Sequence, residues 1–224
     1  MIKFSHTETY GWEASLRGMR NPMESWEKSD SFHCNEITCV NCSPEIQCPT
    51  KDATGFAIGE NDLTLMKKLA KAGSDHCKYM RQIFVSVDIT APLYWWKEFD
   101  TYKVGTVANS CSTMHTIHKK EFELDDFSHE HLIKPIVLAV MEPLITCLNA
   151  QRQYFLESKD KTHWYQMIQL LPSSYNQKRT ITLNYEVLRN MYHARKNHKL
   201  DEWHTFCDWI ESLPYSEIIT GKDE

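Results

Sequence analysis

Three polar residues near the C-terminus, Asn184, Asn190 and Arg195, follow the strand-like run Thr180-Ile181-Thr182-Leu183. Their offsets of six and five residues predict side chains on roughly one face of a helix at about 100° per residue. A helix start presenting an amide, with a guanidinium further along, suits recognition of a phosphate or a flavin. A second polar group is the loop carrying Lys103, Gly105, Asn109, Ser110, Ser112 and Thr113. Loops of this composition hold phosphates through backbone N–H groups and hydroxyls, with a lysine as a point charge. The same composition also suits a plain polar surface loop.

Cys34, Cys39, Cys42 and Cys48 form a third group, spaced C-x4-C-x2-C-x5-C with His33 adjacent. Four soft ligands so close in sequence could close a tetrahedral zinc site and fold a loop that has no other means of folding. An iron–sulfur cluster, free thiols, or two disulfides in an oxidising compartment remain alternatives. His76 precedes an apolar run and could stack on a flavin or a base, or be a histidine satisfied by a backbone carbonyl. Trp95 and Trp96, with Tyr94, Phe99 and Tyr102, make an aromatic belt. Such belts stack on planar rings less often than they form core or oligomer interfaces, and neighbouring residues point about 100° apart. An interface role is expected for at least one tryptophan. His115, His118, His129 and His131 fall in two separated pairs and read as solvated histidines, not as a metal centre. Asp125-Asp126 reads as a helix start or a surface charge pair.

The elements that must position these groups follow from periodicity. A short strand and a helix over residues 12–19 open the chain, and a long loop bearing Pro22, Pro44, Pro49 and the cysteines runs from 21 to about 59. Asn61 is expected to cap a helix with Leu63, Leu65, Met66 and Leu69 on its apolar face, ending near Gly73. The β-branched and aromatic run 79–87 predicts a half-buried strand with Ile83, Val85 and Val87 on one face. Pro92 opens an aromatic helix, and residues 101–115 form a polar loop. A helix over 128–158 must bend or break at Pro135 and Pro143. A helix over 161–170, a strand near 178–183 and helices near 185–197 and 201–212 complete the chain. The fold class is α+β: helix-rich, around a small mixed or antiparallel sheet.

Its 224 residues allow one domain with a full core or two small ones, and one domain over 1–224 with a cysteine-bearing insertion at about 22–60 is the expectation. Hydrophobic residues at 42% and charged residues at 25% are those of a globular protein. A net charge of −5 argues against a general nucleic-acid surface. No apolar run reaches the ~20 residues that span a bilayer, and the start Met1-Ile2-Lys3-Phe4-Ser5-His6-Thr7 does not read as a secretory leader. A cytoplasmic location is expected.

The C-terminal pattern resembles the end of the flavin-dependent thymidylate synthases: a leucine-proline (here Leu171-Pro172), a strand, then asparagine, arginine, asparagine and a final arginine. Asn184, Asn190 and Arg195 match that pattern, and Glu186 stands where its first arginine belongs. Ser74-Asp75-His76 resembles the family's Glu-His pair, and Asn109-Ser110-Cys111-Ser112 the second half of its signature loop. The resemblance covers about 61–115 and 165–212. It implies the family's α+β fold, FAD bound with help from His76, Asn184 and Asn190, and a pyrimidine nucleotide such as dUMP. The nucleotide would meet Lys103, Asn109, Ser110, Ser112 and Arg195. It also implies a homotetramer with shared sites. The family's Arg-His-Arg triplet falls on Tyr102-Lys103-Val104, or on Glu98-Phe99-Asp100 when aligned by the preceding helix, and the arginine after Ser112 is Met114. Replacing arginine forks in this way implies weak or absent thymidylate synthesis, since a carboxylate repels phosphate and a lysine is no bidentate substitute. The reading is therefore a divergent methyltransferase-like protein of nucleotide biosynthesis. The alternative is a non-catalytic nucleotide-binding or interaction protein of the same fold.

Overall fold

The alternation Ile83, Val85, Val87, Ile89, Ala91 continues without a break for nine residues, and every one of these side chains is buried. That period of two makes β4 (Phe84–Pro92), the longest apolar strand of the protein. In the computed structural model, which describes residues 2–34 and 55–222, β4 pairs within a four-stranded sheet. The others are β1 (Lys3–Tyr10), β5 (Thr106–Ser110) and β6 (Asn176–Asn184), in the order β1-β4-β6-β5. A second small sheet pairs β2 (Phe32–His33) with β3 (Phe56–Ala57) antiparallel, Phe32 opposite Ala57 and His33 opposite Phe56. The fold is α+β and helix-rich, as its composition of elements leads one to expect.

The chain divides into two compact units, each holding a part of every strand of the larger sheet. The first comprises Met1–Phe4, Asp88–Thr101 and Ala108–Thr180. It carries α3 (Leu93–Phe99), α4 (Thr113–Thr116), α5 (Pro135–Leu138), α6 (Met141–Ser158) and α7 (Lys161–Leu170). Its core gathers Ile117, Phe122, Phe127, Met141, Leu148 and Met167. Asp160 caps α7 by accepting from the Thr162 N–H (2.9 Å). The expected helix over 128–158 is instead two helices, because Pro135 begins α5 and Pro143 sits in the first turn of α6. A proline there forfeits no intrahelical bond, so both residues set starts where kinks were expected.

The second unit comprises Ser5–Val87, Tyr102–Val107 and Ile181–Glu224. Its helices are α1 (Trp12–Arg20), α2 (Glu60–Lys71), a 3-10 helix (Ser74–Gln82), α8 (Tyr185–Arg195), α9 (Asp201–Glu211) and α10 (Glu217–Thr220). Trp12 meets Tyr185 and Tyr215 edge-on at 5.1 and 5.2 Å, and Trp203, Phe206 and Trp209 form a second aromatic run. A buried ion pair ties α1 to α2: Arg20 donates to Asp62, which also accepts from Ser29 and Ser31 (2.6 Å each).

Four expectations need correction. Asn61 does not cap α2: Gly59 is the cap residue, and the Asp30 carboxylate accepts the Asn61 and Asp62 N–H groups (2.9 and 3.1 Å). The buried residues of α2 are Asp62, Met66 and Ala70, so the expected apolar stripe is shifted. Residues 74–82 are 3-10 helix, and the strand begins only at Phe84. The presumed loop 101–115 contains edge strand β5 and the short α4. Its polar, exposed residues carry no alternation to betray a strand.

Candidate functional site

Helix α8 is the element on which most of the sequence-marked polar residues converge. Its N-cap, Asn184, lies in extended conformation and its Oδ1 accepts the Val187 N–H (3.0 Å). That bond satisfies one orphan N–H of the helix start and leaves Asn184 mostly buried. Because Asn184 stands outside the helix proper, the three residues do not share a face. Asn190 and Arg195, five apart, point about 140° from each other. Asn190 is exposed, while Arg195 is half-buried.

Arg195 is engaged by aromatic rings. Its guanidinium lies 4.7 Å from the Trp203 ring centroid and 5.5 Å from that of Tyr102, and its Nε donates to the Tyr102 hydroxyl (2.9 Å). Trp203 is fully buried, so this contact is shielded from water and stronger than a surface one. The contact anchors one end of the segment 102–107. Its other end approaches the start of α8 at Gly105, where φ is +73° and a Cβ would lie 3.0 Å from Val187 Cγ2 and 3.2 Å from Asn184 Nδ2. Only glycine suits that combination of left-handed backbone and close approach. The segment thus runs along α8 and carries exposed Lys103 between its two anchors.

On another side of α8 lies the 3-10 helix that carries His76. Arg81 of that helix grips Glu186 in a bidentate ion pair (2.5 and 3.0 Å). The hydrogen bonds and charge of Glu186 push the Arg81 pKa up further. Arg189 of α8 donates to the Ala70 carbonyl at the end of α2 (3.2 Å). The carboxylate in α8's first turn is therefore neutralised by a neighbouring arginine, a partner that sequence spacing alone gives no means of finding. His76 is exposed on the same 3-10 helix.

Three further marked residues belong to the other unit. Asn109 and Ser110 end strand β5, both exposed, and Ser112 caps α4 by accepting the His115 N–H (3.3 Å). Cys111 between them donates its N–H to the Lys178 carbonyl (2.9 Å). Among the described residues, the side chains of His76, Lys103, Asn109, Ser110 and Asn190 make no hydrogen bond or ion pair, so their donors and acceptors face outward uncommitted. This polar set suits a flavin ring or a nucleotide base, whereas its cations, Lys103 and the already stacked Arg195, form a sparse phosphate grip.

The aromatic belt is core, and the interface expectation for its tryptophans is corrected. Trp95, Trp96 and Phe99 are 0–2% exposed within the chain, pack on one another at 4.9–5.3 Å, and Arg179 lies 4.2 Å over Trp96. Their burial shields apolar area that the sequence pattern cannot distinguish from an exposed belt. His129 donates to or accepts at the Phe127 carbonyl through Nδ1 (2.9 Å), and His118 packs edge-on against Phe155, so these two are not freely solvated. Asp126 reciprocates a capping box with Glu123 and pairs with Lys120 (3.0 Å). Cys39, Cys42 and Cys48 lie outside the described residues. Cys34 is half-buried, its N–H bonded to the Gly55 carbonyl (2.8 Å). Among the described residues no group of three or more His, Cys, Asp or Glu is gathered as a metal site. No described helix is long and apolar enough to cross a membrane.

No family model and no curated protein matches the sequence. Solved structures do match the fold. A flavin-dependent thymidylate synthase from Helicobacter pylori, in complex with FAD and dUMP, aligns with a TM-score of 0.63 at 16% identity, over 98% of this chain and 96% of that one. A second structure of the enzyme from the same organism, also with FAD and dUMP, gives 0.64 and 16%, over 98% and 95%. These likenesses establish a shared fold across nearly the whole chain.

Proposed function

We propose that this chain is a divergent flavin-dependent thymidylate synthase-like protein that binds a pyrimidine nucleotide of the dUMP type together with FAD. The observation that carries the reading is the assembly around α8. The segment 102–107, with Lys103, is anchored along that helix at Arg195 and at Asn184, and His76 sits on the 3-10 helix bonded to it through Arg81 and Glu186. The fold likeness to an enzyme solved with FAD and dUMP supports the ligand class. In this assignment His76, Asn184 and Asn190 meet the flavin, while Lys103, Asn109, Ser110, Ser112 and Arg195 meet the nucleotide. A bound flavin would supply the redox chemistry; the side chains position and polarise the ring they hold.

The same residues argue for weak turnover of dUMP to thymidylate. Preorganised cations at a reacting centre are commonly worth about 3 kcal/mol each. Here one position carries a carboxylate already paired with Arg81, another Met114, and the triplet supplies at most Lys103. A second reading, nucleotide binding without catalysis, follows from that same neutralised Glu186. The test is the visible spectrum of the purified protein, followed by equilibrium dialysis against FAD and dUMP. Bound flavin, and dUMP affinity that falls in Lys103→Ala, would support the reading. Absence of both ligands at millimolar concentration would refute it. Growth of a thymidine-requiring strain then separates the two readings: robust rescue excludes the non-catalytic one.

A further inference from the structure

Residues 133–140 read Ile-Lys-Pro-Ile-Val-Leu-Ala-Val, and every one of them is exposed. Ile133, Ile136 and Val140 are 83%, 79% and 63% exposed, with Val137 and Leu138 at 42% and 38%. An aliphatic run of this length open to water is unusual on a monomer's surface and marks an interaction face. Beside it α5, the first turns of α6 and Leu124 enclose a groove of about 540 Å3, lined by Leu138, Met141, Ile145 and Glu142. Its floor is firm, since Met141 is buried in the unit's core with Leu144 and Ile145 packed against it.

The charge around this groove is one-signed. Glu121, Asp125 and Glu142 make no ion pair among the described residues, whereas the nearby Lys120 is spent on Asp126 (3.0 Å) and Glu123 (3.9 Å). Lys134 is the single charged residue within the aliphatic run. A second copy docked face to face would bring these carboxylates against their own equivalents, and an anionic lipid surface would be repelled by them. From the apolar floor and the acidic rim together, we infer that this face receives an amphipathic helix of another protein, with aliphatic residues on one side and lysine or arginine flanking them. The helix would lay side chains at i, i+3, i+4 and i+7 into the groove over Leu138 and Ile145, with its cations over Glu142 and Asp125. This surface lies wholly in the first unit and does not depend on the nucleotide reading.

The probe is a labelled peptide of about four helical turns, with leucine at the i, i+3, i+4 and i+7 positions and lysine elsewhere. A twin has glutamate in place of lysine. Fluorescence anisotropy with the full chain should show saturable binding of the lysine peptide and none of the glutamate twin. Ile136→Asp and Val140→Asp, both at exposed positions, should each weaken the lysine peptide by about tenfold or more. The direction is informative, because added acid would strengthen a purely electrostatic contact. Glu142→Lys should weaken it as well. Failure of the lysine peptide to bind, equal binding of both peptides, or unchanged affinity in Ile136→Asp would overturn the inference. Light scattering that shows a dimer dispersed by Ile136→Asp and undisturbed by the peptide would assign the face to a second copy instead.

Discussion

Removing the Arg195 guanidinium separates two accounts of that residue. Its plane faces the fully buried Trp203 ring at 4.7 Å, it touches Tyr102 at 5.5 Å, and its Nε donates to the Tyr102 hydroxyl. A shielded cation–π contact is worth about 2 kcal/mol, and a charged hydrogen bond adds about 1.5 kcal/mol before losses from non-additivity. Arg195→Ala should therefore cost about 2–3 kcal/mol, which lowers Tm by about 5–10 °C at about 2–4 °C per kcal/mol for a chain of this size. Urea and thermal unfolding would measure it. Tyr102→Phe should lose only the hydrogen bond, about 1 kcal/mol, and Arg195→Lys should recover less than half of the alanine loss, since an ammonium cannot cover both rings. The sequence pattern alone treats Arg195 as a phosphate ligand whose loss leaves Tm unchanged. A Tm within about 1 °C of the parent would refute the structural account, whatever happened to nucleotide affinity.

Three further outcomes follow from the second unit. Burial raises the Asp62 pKa, but hydrogen bonds from Ser29, Ser31 and Arg20 outweigh it, so the net shift is downward from the ordinary 3.8. A depressed carboxyl stabilises the fold above its unfolded pKa and loses that contribution as pH falls through the folded one, so stability should drop below about pH 4. Asp62→Asn should flatten that acid limb and cost about 3–5 kcal/mol at neutral pH, as breaking a buried pair does; denaturant titrations across pH would show it, and an unchanged acid limb would count against the network. Gly105→Ala should cost about 1–2 kcal/mol from its left-handed backbone, and adding Val187→Ala should restore only part of the loss; unaltered unfolding would contradict the close approach. Exchanging the partners, Arg81→Glu with Glu186→Arg, should restore stability that Glu186→Arg alone loses, and a double mutant no better than the single would show that the pair is not coupled.

Legibility from sequence tracked the strength of each local signal. Strand β4 was readable because Ile83, Val85 and Val87 alternate cleanly, and α7 because Asp160 and Pro172 bracket it. Strand β5 was not, since Thr106–Ser110 is an exposed edge held by pairing and carries no apolar rhythm. The cap of α2 was misplaced because its acceptor, Asp30, lies far upstream in sequence, a tertiary contact that no spacing rule reaches. The same reason hid the Arg81–Glu186 pair and the stacking of Arg195 on Trp203. Residue types at Asn184 and Arg195 were visible, whereas their commitments were not: one caps a helix and the other is clasped by rings before any ligand arrives.

Those commitments bear on how a nucleotide site could work here. A carboxylate in the first turn of α8 is favoured by the helix dipole, and Arg81 then neutralises it from outside the helix. The guanidinium that might have faced a phosphate is spent on Glu186, so the charge inversion is absorbed as structure and leaves the surface near α8 neither strongly attractive nor strongly repulsive. Lys103 is then the uncommitted cation held along α8, on a segment pinned at Tyr102 and Gly105. One point charge on a braced segment can select an anion, but it cannot hold a phosphate and a ring in fixed register as paired forks do. Ligand capture can therefore survive on this scaffold with far less catalytic positioning, and the affinity loss in Lys103→Ala should exceed that in Arg195→Lys.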